Sequence, residues 1–408
     1  MWTGLLPRDH QDPPAGEGLC KEVYMQYVDF GKIGIKVSRL GMGCMRLPSY
    51  EKDGKTIFDE EKGIALVHRA IELGVNYFDT APYYCDMQSE VILGKALKGG
   101  KREKIYLSTK NPIENDSADD YEKRLESSLK RLDVSSIDFY HFWGISLNTF
   151  LTKVKAKNGP FQRAIKLKEQ GLIKHISFSF HDGDAGEKEG DNLIEILKCS
   201  EGVLESVLCQ YNVMDRNKEE GIAFAHEMGL GTVIMGPVGG GRLGAPSKAI
   251  MDLLPGKFAS SAELALRFVL ANPNVNIALS GVSNMEQLEE NALVADNTNE
   301  LSRDELSQIE AMMKENERLA GLYCTGCRYC MPCPAGINIP AIFEMMNYHR
   351  IYGITDYAKG EYAQIGKVDW KKFNNASACT ECGECEKKCP QSLPVREQLK
   401  ETHKTLAE

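Results

Sequence analysis

The stretch NYFDTAPYY, at Asn76–Tyr84, begins with a short apolar run. An acid, Asp79, follows the run, and two tyrosines, Tyr83 and Tyr84, end the stretch. The run is predicted to be a buried strand that leads through Asp79 and a small turn to Tyr84. An acid and a phenol so placed can act together when a cation lies between them. Two later strand-like runs end at suitable groups, Lys110 and His141. We therefore expect these four side chains to meet at one end of a sheet.

Around this stretch, short apolar runs alternate with helical patterns. Strands are predicted at Leu40–Cys44, Asn76–Asp79, Ile105–Thr109, Ile137–His141, Ile176–Ser179, Val207–Tyr211, Thr232–Met235 and Asn276–Leu279. Helices are predicted at Glu61–Leu73, Gln88–Leu97, Asp119–Leu132, Phe161–Gln170, Asp191–Ser200, Lys218–Met228, Ser261–Ala271 and Met285–Val294. Strands that are each followed by a helix are typical of a (β/α)8 TIM barrel.

A doubly wound sheet is the competing fold, but no GxGxxG follows the first strand, as dinucleotide binding in that fold requires. In a barrel, functional residues lie at the carboxyl ends of the strands. Asp79, Lys110 and His141 lie there on this interpretation, and Tyr84 lies just beyond. The alternative is a surface Tyr, a solvated Lys and an Asp that caps a helix. The ordered recurrence of suitable groups at successive strand ends favours a site.

Composition indicates a globular protein and argues against several classes of partner. The chain has 408 residues, 42% of them hydrophobic and 26% charged, which fits one large globular domain and a small one. Its net charge of −9 argues against nucleic acid or an anionic membrane as the main partner. No apolar run approaches the roughly 18 residues that a membrane span needs. Residues 1–24 have no periodicity and are predicted to be a disordered extension.

Cysteine usage indicates metal clusters rather than disulfides. Of 13 cysteines, 8 lie in two tight groups near the C-terminus. The N-terminus mixes charges and prolines where a signal peptide needs an apolar core. We therefore expect a reduced, cytoplasmic protein.

The two cysteine groups have the spacing of iron–sulfur ligands. They are Cys324, Cys327, Cys330 and Cys333, followed by Pro334, and Cys379, Cys382, Cys385 and Cys389, followed by Pro390. In two-cluster ferredoxins the fourth Cys binds the other cluster. By that rule Cys389 joins Cys324, Cys327 and Cys330, while Cys333 joins Cys379, Cys382 and Cys385. The first group has one residue fewer before its last Cys than this rule describes. A pair of zinc sites, each with four cysteine ligands, is the alternative, although zinc usually takes CxxC pairs separated by a longer loop.

The set Asp79, Tyr84, Lys110 and His141 closely resembles the catalytic tetrad of the aldo-keto reductases. That resemblance covers residues 25–320. With the cysteine motifs, the chain resembles the aldo-keto reductases that carry a C-terminal 4Fe–4S domain. The expected architecture is a barrel over 25–320 and, over 321–408, a small α-helical, bacterial-ferredoxin-like domain with two [4Fe–4S] clusters and a charged helical tail.

The resemblance implies reduction of a carbonyl, or oxidation of an alcohol, on a small molecule. Tyr84 would donate the proton, Lys110 would lower the pKa of Tyr84, and Asp79 would hold Lys110. His141 would polarise the carbonyl oxygen. Phe142 and Trp143 would form an apolar wall beside the substrate.

The resemblance also implies NADPH or NADH as the hydride source. Ser179 and Gln210 would hold the nicotinamide carboxamide. The phosphates and adenosine would lie on Gly281, Val282, Ser283, Gln287, Glu290 and Asn291. Phe180, Met235, Gly281 and Gln287 depart from the family, which has Asn, an aromatic residue, Lys and Arg at these positions in many members.

The clusters would relay single electrons to or from an external ferredoxin-like carrier. Nothing in the sequence resembles a flavin site that would join hydride and one-electron chemistry. Three explanations stay open: a bound flavin, clusters with a structural role, or radical chemistry on the substrate. Lysines beside the second motif, Lys371, Lys372, Lys387 and Lys388, are either a solvated face or a docking patch for an acidic carrier. The competing interpretation of the whole chain is an electron-transfer or redox-sensor protein that uses the barrel as a binding platform.

Overall fold

The computed structural model describes residues 25–52, 55–182, 189–239, 256–296, 301–311, 330–350, 352–389 and 393–407. The extension predicted for 1–24 and the candidate ligands Cys324 and Cys327 lie outside these residues.

Eight parallel strands form a closed barrel, as predicted. In chain order they are β3 (Leu40–Gly43), β6 (Tyr77–Asp79), β7 (Tyr106–Pro112), β8 (Ile137–Ile145), β9 (Ile173–Phe180), β10 (Ser206–Gln210), β11 (Gly231–Met235) and β12 (Ile277–Gly281). Neighbours follow chain order, and β12 pairs with β3 to close the ring. Two antiparallel hairpins accompany the barrel: β1 (Tyr27–Asp29) with β2 (Lys36–Ser38), and β4 (Ser49–Lys52) with β5 (Lys55–Phe58).

Helices follow the barrel strands and cover the outside of the sheet. The larger ones are Glu60–Glu72, Ser89–Ala96, Ala118–Leu132, Pro160–Glu169, Glu189–Cys199, Glu219–Met228, Ser261–Ala271 and Met285–Ala295. Each lies within two residues of its predicted bounds. Beyond β8, Leu147–Thr149 is α-helical and Phe150–Val154 is a π-helix.

Helix Ala118–Leu132 illustrates why these segments are helical. Ser117 caps it by accepting the Asp120 N–H at 3.2 Å. Tyr121, Leu125 and Leu132 are buried along one stripe, at the spacing that places side chains on a single helix face. The apolar stripe packs on the barrel while the remaining polar face stays in water.

The first hairpin closes the amino end of the barrel. Phe30, beyond β1, packs edge-on against Phe139 with ring centroids 5.2 Å apart, and also contacts Tyr77. Gly231 makes room for it, since a Cβ there would lie 2.4 Å from the Phe30 ring. With this end filled by aromatic rings, the opposite, carboxyl end is the one at which a site can open.

Two strands run further than expected. β7 continues past Lys110 to Pro112, and β8 continues past His141 to Ile145. The cause is continued pairing: Asn111 is aligned with Phe142 and Pro112 with Trp143. Lys110 and His141 are therefore held inside paired strands rather than at their ends. The β4–β5 hairpin was not predicted either.

The C-terminal part is helical, as expected. Residues 303–311 are helical. The longer helices described here are Ile339–Arg350, Thr355–Ala363 and Val395–Ala407, and the last of them is the expected helical tail. Short helical turns lie at Asp369–Lys371, Ala376–Ala378 and Glu384–Lys388. Among the helices described here, none is long and apolar enough to cross a membrane.

Candidate active site and cysteine cavity

Strand register brings the central polar groups together. Asp79 of β6 is aligned with Ser108 of β7, and Lys110 of β7 is aligned with His141 of β8. Ser108 and Lys110 are two residues apart, so their side chains lie on the same face of the strand. All four side chains are buried. The barrel therefore places a carboxylate, a hydroxyl, an ammonium and an imidazole in adjacent positions.

The centre of the site is a buried ion pair. Lys110 Nζ is bonded to Asp79 Oδ2 and donates to the Thr80 carbonyl oxygen at 2.8 Å. Asp79 Oδ1 accepts the Ser108 hydroxyl at 2.8 Å. Burial alone lowers the pKa of Lys110, but Asp79 and Tyr84 outweigh burial and raise it above its usual value. Lys110 therefore stays charged throughout the neutral range.

Tyr84 lies beside this pair, as the sequence predicted. The Lys110 ammonium is 4.8 Å from the centroid of the Tyr84 ring. Burial raises the pKa of Tyr84, and Lys110 lowers it by less, so the net pKa is raised. Lys110 thus lowers the pKa of Tyr84 in the expected direction, while burial of the phenol has the larger effect and raises it. The phenol is protonated at neutral pH, which suits a proton donor.

The chain turns tightly after Tyr84. Cys85, Asp86 and Met87 all have left-handed backbone, with φ of 54°, 49° and 66°. Non-glycine residues adopt this conformation at a cost of about 1–2 kcal/mol each. Hydrogen bonds at both ends hold the turn: Tyr84 N–H donates to the Ala81 carbonyl and Ser89 N–H donates to the Tyr84 carbonyl, both at 3.2 Å. The turn fixes the direction in which the phenol leaves the backbone.

His141 faces Ser108. Its Nε2 lies 2.9 Å from Ser108 Oγ. Burial lowers the pKa of His141 to about 4, and the charge of Lys110 acts in the same direction while Asp79 opposes it. The imidazole is therefore neutral at physiological pH. Sequence reasoning missed Ser108, although its position two residues before Lys110 was a usable signal.

Only one of the two residues expected to form the apolar wall is near the phenol. Trp143 packs edge-on against Tyr84 with ring centroids 5.7 Å apart and also contacts Tyr83. Phe142 is instead buried against Tyr121 and Phe161. Neighbouring residues of a strand point to opposite faces, so Phe142 faces the helices and its assignment to the wall is wrong.

The two residues expected at the nicotinamide lie on β9 and β10. Ser179 Oγ accepts the Gly144 N–H at 2.9 Å. Gln210 Nε2 donates to Asp215 Oδ2 at 2.7 Å, and buried Lys218 lies 3.4 Å from the same oxygen. Asp215 and Lys218, which sequence reasoning did not identify, thus orient the Gln210 amide and leave its carbonyl oxygen for another donor.

The residues expected at the phosphates and adenosine surround the start of helix Met285–Ala295. Gly281 ends β12, Val282 is buried and Ser283 is exposed. Gln287 Oε1 accepts the Ser283 N–H at 3.0 Å and its hydroxyl at 3.1 Å. Asn291 donates to Ser280 Oγ at 2.9 Å, and Glu290 is exposed. Gly281, Val282 and Ser283 lead into the N-terminus of this helix, where anions are favoured, and Glu290 and Asn291 lie further along it.

A cavity lined by thiols lies in the C-terminal part. Its cysteines are Cys330, Cys333, Cys379, Cys382 and Cys385. Ile339 and Leu399 add apolar wall, and Arg396 adds a cation that is paired with Glu386. Cys389 is not part of this lining. Burial raises the pKa of the Cys385 thiol. Thiolates are the ligands of iron–sulfur clusters, so this lining has the right ligand type. Within the described part of the chain, however, no three His, Cys, Asp or Glu side chains are close enough together to hold a metal ion.

The nearby lysines do not form a uniform positive patch. Lys371 is buried and donates to Glu361 Oε2 at 2.6 Å. Lys372 is paired with Asp369 and Lys387 with Glu384. Three of the four lysines therefore have acidic partners within the same region, which favours the interpretation of a solvated face.

The sequence matches two families in succession. Residues 39–314 match the aldo/keto reductase family, and residues 323–393 match the 4Fe-4S dicluster domain. L-galactose dehydrogenase of Arabidopsis thaliana is 28% identical over 317 residues, which are 71% of this chain and 94% of that protein. The uncharacterized oxidoreductase YqkF of Bacillus subtilis (strain 168) is 28% identical over 320 residues, 70% of this chain and 96% of its own.

A solved structure shares the fold of the barrel. The holo form of aldo-keto reductase AKR11C1 from Bacillus halodurans superposes with a TM-score of 0.59 at 27% identity, covering 71% of this chain and 96% of that chain. Together with the family match over residues 39–314, this likeness accounts for the closed barrel. The chain belongs to the aldo/keto reductase family of oxidoreductases and carries a 4Fe–4S dicluster domain after the barrel.

Proposed function

We propose that the chain reduces a carbonyl group, or oxidises the corresponding alcohol, on a small molecule bound beside Tyr84. The observation that carries this proposal is the buried Asp79–Lys110 pair directly beside the Tyr84 phenol. A buried ion pair is costly to keep without compensation. Here it holds a positive charge next to the phenol that the turn after β6 directs into the site.

Tyr84 Oη carries the proton that the carbonyl oxygen needs. Its raised pKa keeps the phenol protonated through the neutral range. As the proton leaves, negative charge develops on the phenol oxygen, and the Lys110 ammonium stabilises that charge. Asp79 and the Thr80 carbonyl hold Lys110 in place. In the oxidative direction the same phenolate accepts the proton, so that rate should rise as pH increases.

A reduced nicotinamide, when bound, supplies the hydride that this chemistry requires. Ser179 and Gln210 would hold its carboxamide, and the Gly281–Ser283 segment with Gln287, Glu290 and Asn291 would hold the phosphate and adenosine end. The pre-oriented Gln210 amide supports the first assignment. Gly281 and Gln287 supply no cation for a 2′-phosphate, so NADH and NADPH both need to be tested.

The cysteine cavity would hold one [4Fe–4S] cluster through Cys333, Cys379, Cys382 and Cys385. By the crossing rule, Cys389 would hold the second with Cys324, Cys327 and Cys330, although Cys330 also lines the cavity. The bound clusters supply one-electron transfer, and two of them together match the two electrons of one hydride. Their external partner would be a one-electron carrier such as a ferredoxin-like protein.

Tyr84→Phe is the direct test of the barrel site. Removing a positioned proton donor lowers rates by about 10²–10⁴-fold, so turnover of a panel of aldehydes and ketones should fall by that factor. Nucleotide affinity, measured by quenching of protein fluorescence, should change little. Tyr83→Phe is the matched control: Tyr83 is exposed and donates to Glu114 at 3.0 Å, and its loss should leave turnover nearly unchanged. Unchanged turnover in Tyr84→Phe would contradict the proposal.

A further inference from the structure

The connection between Asp79 and His141 passes through a single hydroxyl. Ser108 Oγ lies 2.8 Å from Asp79 Oδ1 and 2.9 Å from His141 Nε2. Ser108 is fully buried. It therefore contacts the carboxylate that holds Lys110 and the imidazole of the neighbouring strand at the same time.

Proton counting fixes the direction of both bonds. A serine hydroxyl has one proton to donate and two lone pairs, whereas an ionised carboxylate only accepts. The Ser108 proton therefore goes to Asp79, which is ionised opposite Lys110. Ser108 Oγ must then accept from His141, and the donor is the Nε2–H.

His141 has a single ring proton at neutral pH. Its burial beside the Lys110 charge disfavours the imidazolium. A neutral imidazole carries its proton on one nitrogen, and the other nitrogen is an acceptor. The Phe178 carbonyl is the competing acceptor for the ring proton, but Nδ1 is buried without a hydrogen-bond partner, which favours the Nε2–H directed at Ser108. With the proton held on Nε2 and directed at Ser108, the ring has no second N–H to offer a carbonyl oxygen.

We infer that Ser108 is a positioning residue that holds His141 as its Nε2–H tautomer and links the imidazole to the Asp79–Lys110 pair. This assignment deepens the proposed function, on which its catalytic meaning rests. His141 then donates its N–H to Ser108, which in turn donates to Asp79 of the ion pair. The N–H of His141 is therefore not donated to the substrate. The carbonyl would be activated by Tyr84, whose ring centroid is 4.8 Å from the Lys110 ammonium.

The first test measures the tautomer and does not depend on activity. Full-length protein labelled with ¹⁵N-histidine is examined by long-range ¹H–¹⁵N correlation, and the His141 signals are those absent from His141→Asn. We expect a protonated Nε2 and an unprotonated Nδ1 that do not titrate between about pH 6 and 8. A wild-type His141 found as the Nδ1–H tautomer, or as the cation, would overturn the inference.

The second test compares three serine variants. Ser108→Ala should mix the His141 tautomers and lower kcat about tenfold, the loss expected for one hydrogen bond to a charged group. Ser108→Thr keeps a hydroxyl and should restore the Nε2–H signature. Ser206→Ala is the matched control, because Ser206 is a buried barrel serine whose hydroxyl contacts Ser177 Oγ at 2.6 Å. It should change neither the signature nor kcat.

Different results would refute the proposed carbonyl reduction and the proposed Ser108–His141 link. An Nε2–H tautomer in a protein that reduces no carbonyl would refute the proposed function and leave the Ser108 link intact. An active enzyme whose His141 signature is unchanged in Ser108→Ala would refute the link and leave the proposed function intact.

Discussion

The barrel site and the cysteine cavity differ in what holds their polar groups in place. In the barrel, protein atoms satisfy the charges: Asp79 accepts from both Ser108 and Lys110, and Lys110 also reaches the Thr80 carbonyl. In the C-terminal part, sulfur atoms converge on a cavity, and thiols are weak partners for one another. The barrel site is organised by contacts between protein atoms, whereas the thiols of the cavity would be satisfied by the cluster proposed for them.

Removing iron should produce the largest difference between the two regions, because it should destabilise the cysteine region and leave the barrel folded. Anaerobic treatment with a chelator should open the cysteine region, because metal binding to thiolates contributes folding free energy that the apo chain lacks. Amide exchange should increase by orders of magnitude in helices Ile339–Arg350 and Val395–Ala407, and change little in β6, β7 and β8. Equal protection of the C-terminal helices with and without iron would show that the module folds without its clusters.

Lys110→Met should have the next largest effect. It leaves Asp79 buried without its cation, and breaking a buried pair in this way typically costs about 3–5 kcal/mol of unfolding free energy. Urea unfolding followed by tryptophan fluorescence measures the loss. Lys98→Met removes an exposed pair with Asp133, whose side chains are 55% and 77% exposed, and should cost less than about 1 kcal/mol. Similar losses of unfolding free energy in the two variants would mean that Asp79 does not depend on Lys110 for its stabilisation in the folded chain.

The dependence of barrel stability on pH should be a smaller effect than the loss of Lys110. The pKa of His141 is lowered to about 4 in the folded chain, against about 6.5 when unfolded. Between these values the unfolded chain binds a proton that the folded chain does not. This contribution to stability is therefore full above about pH 6.5 and falls as pH drops towards 4, by at most about 3 kcal/mol.

The measurement compares wild type with His141→Asn. Unfolding free energies are determined at several pH values in that window, and the difference between the two proteins isolates His141 from the carboxylates that titrate in the same range. The wild type should lose more stability than the variant as pH falls. Parallel curves would show that His141 does not titrate in the folded chain as proposed.

Much of the barrel could be predicted because its signals are local. Alternation of short apolar runs with helical patterns located all eight strand–helix pairs. The predicted strand ends indicated Asp79, Lys110 and His141, although Lys110 and His141 lie within the longer β7 and β8. The extended β7 and β8 could not be predicted in the same way, because their extra residues are held by pairing across strands. The burial of Phe142 follows from the same register.

The finer properties of the site depend on neighbours that are distant in sequence. The raised pKa of Tyr84 comes mainly from its burial, which a motif does not reveal. Ser108 was visible as a residue on the same strand face as Lys110, yet its link to His141 needs the alignment of β7 with β8. Lys371 looked like part of a basic patch, and only the fold shows that it is buried against Glu361.

The proposal that links the two regions is that the clusters take up electrons from a nucleotide bound in the barrel. The most direct measurement is an anaerobic titration of the fully reconstituted protein with NADH and with NADPH, following the visible absorbance of the clusters and their EPR signal. We expect one of the two nucleotides to reduce both clusters, with two electrons taken up per nucleotide oxidised. Clusters that stay oxidised under both nucleotides, in protein that still reduces an aldehyde, would contradict it.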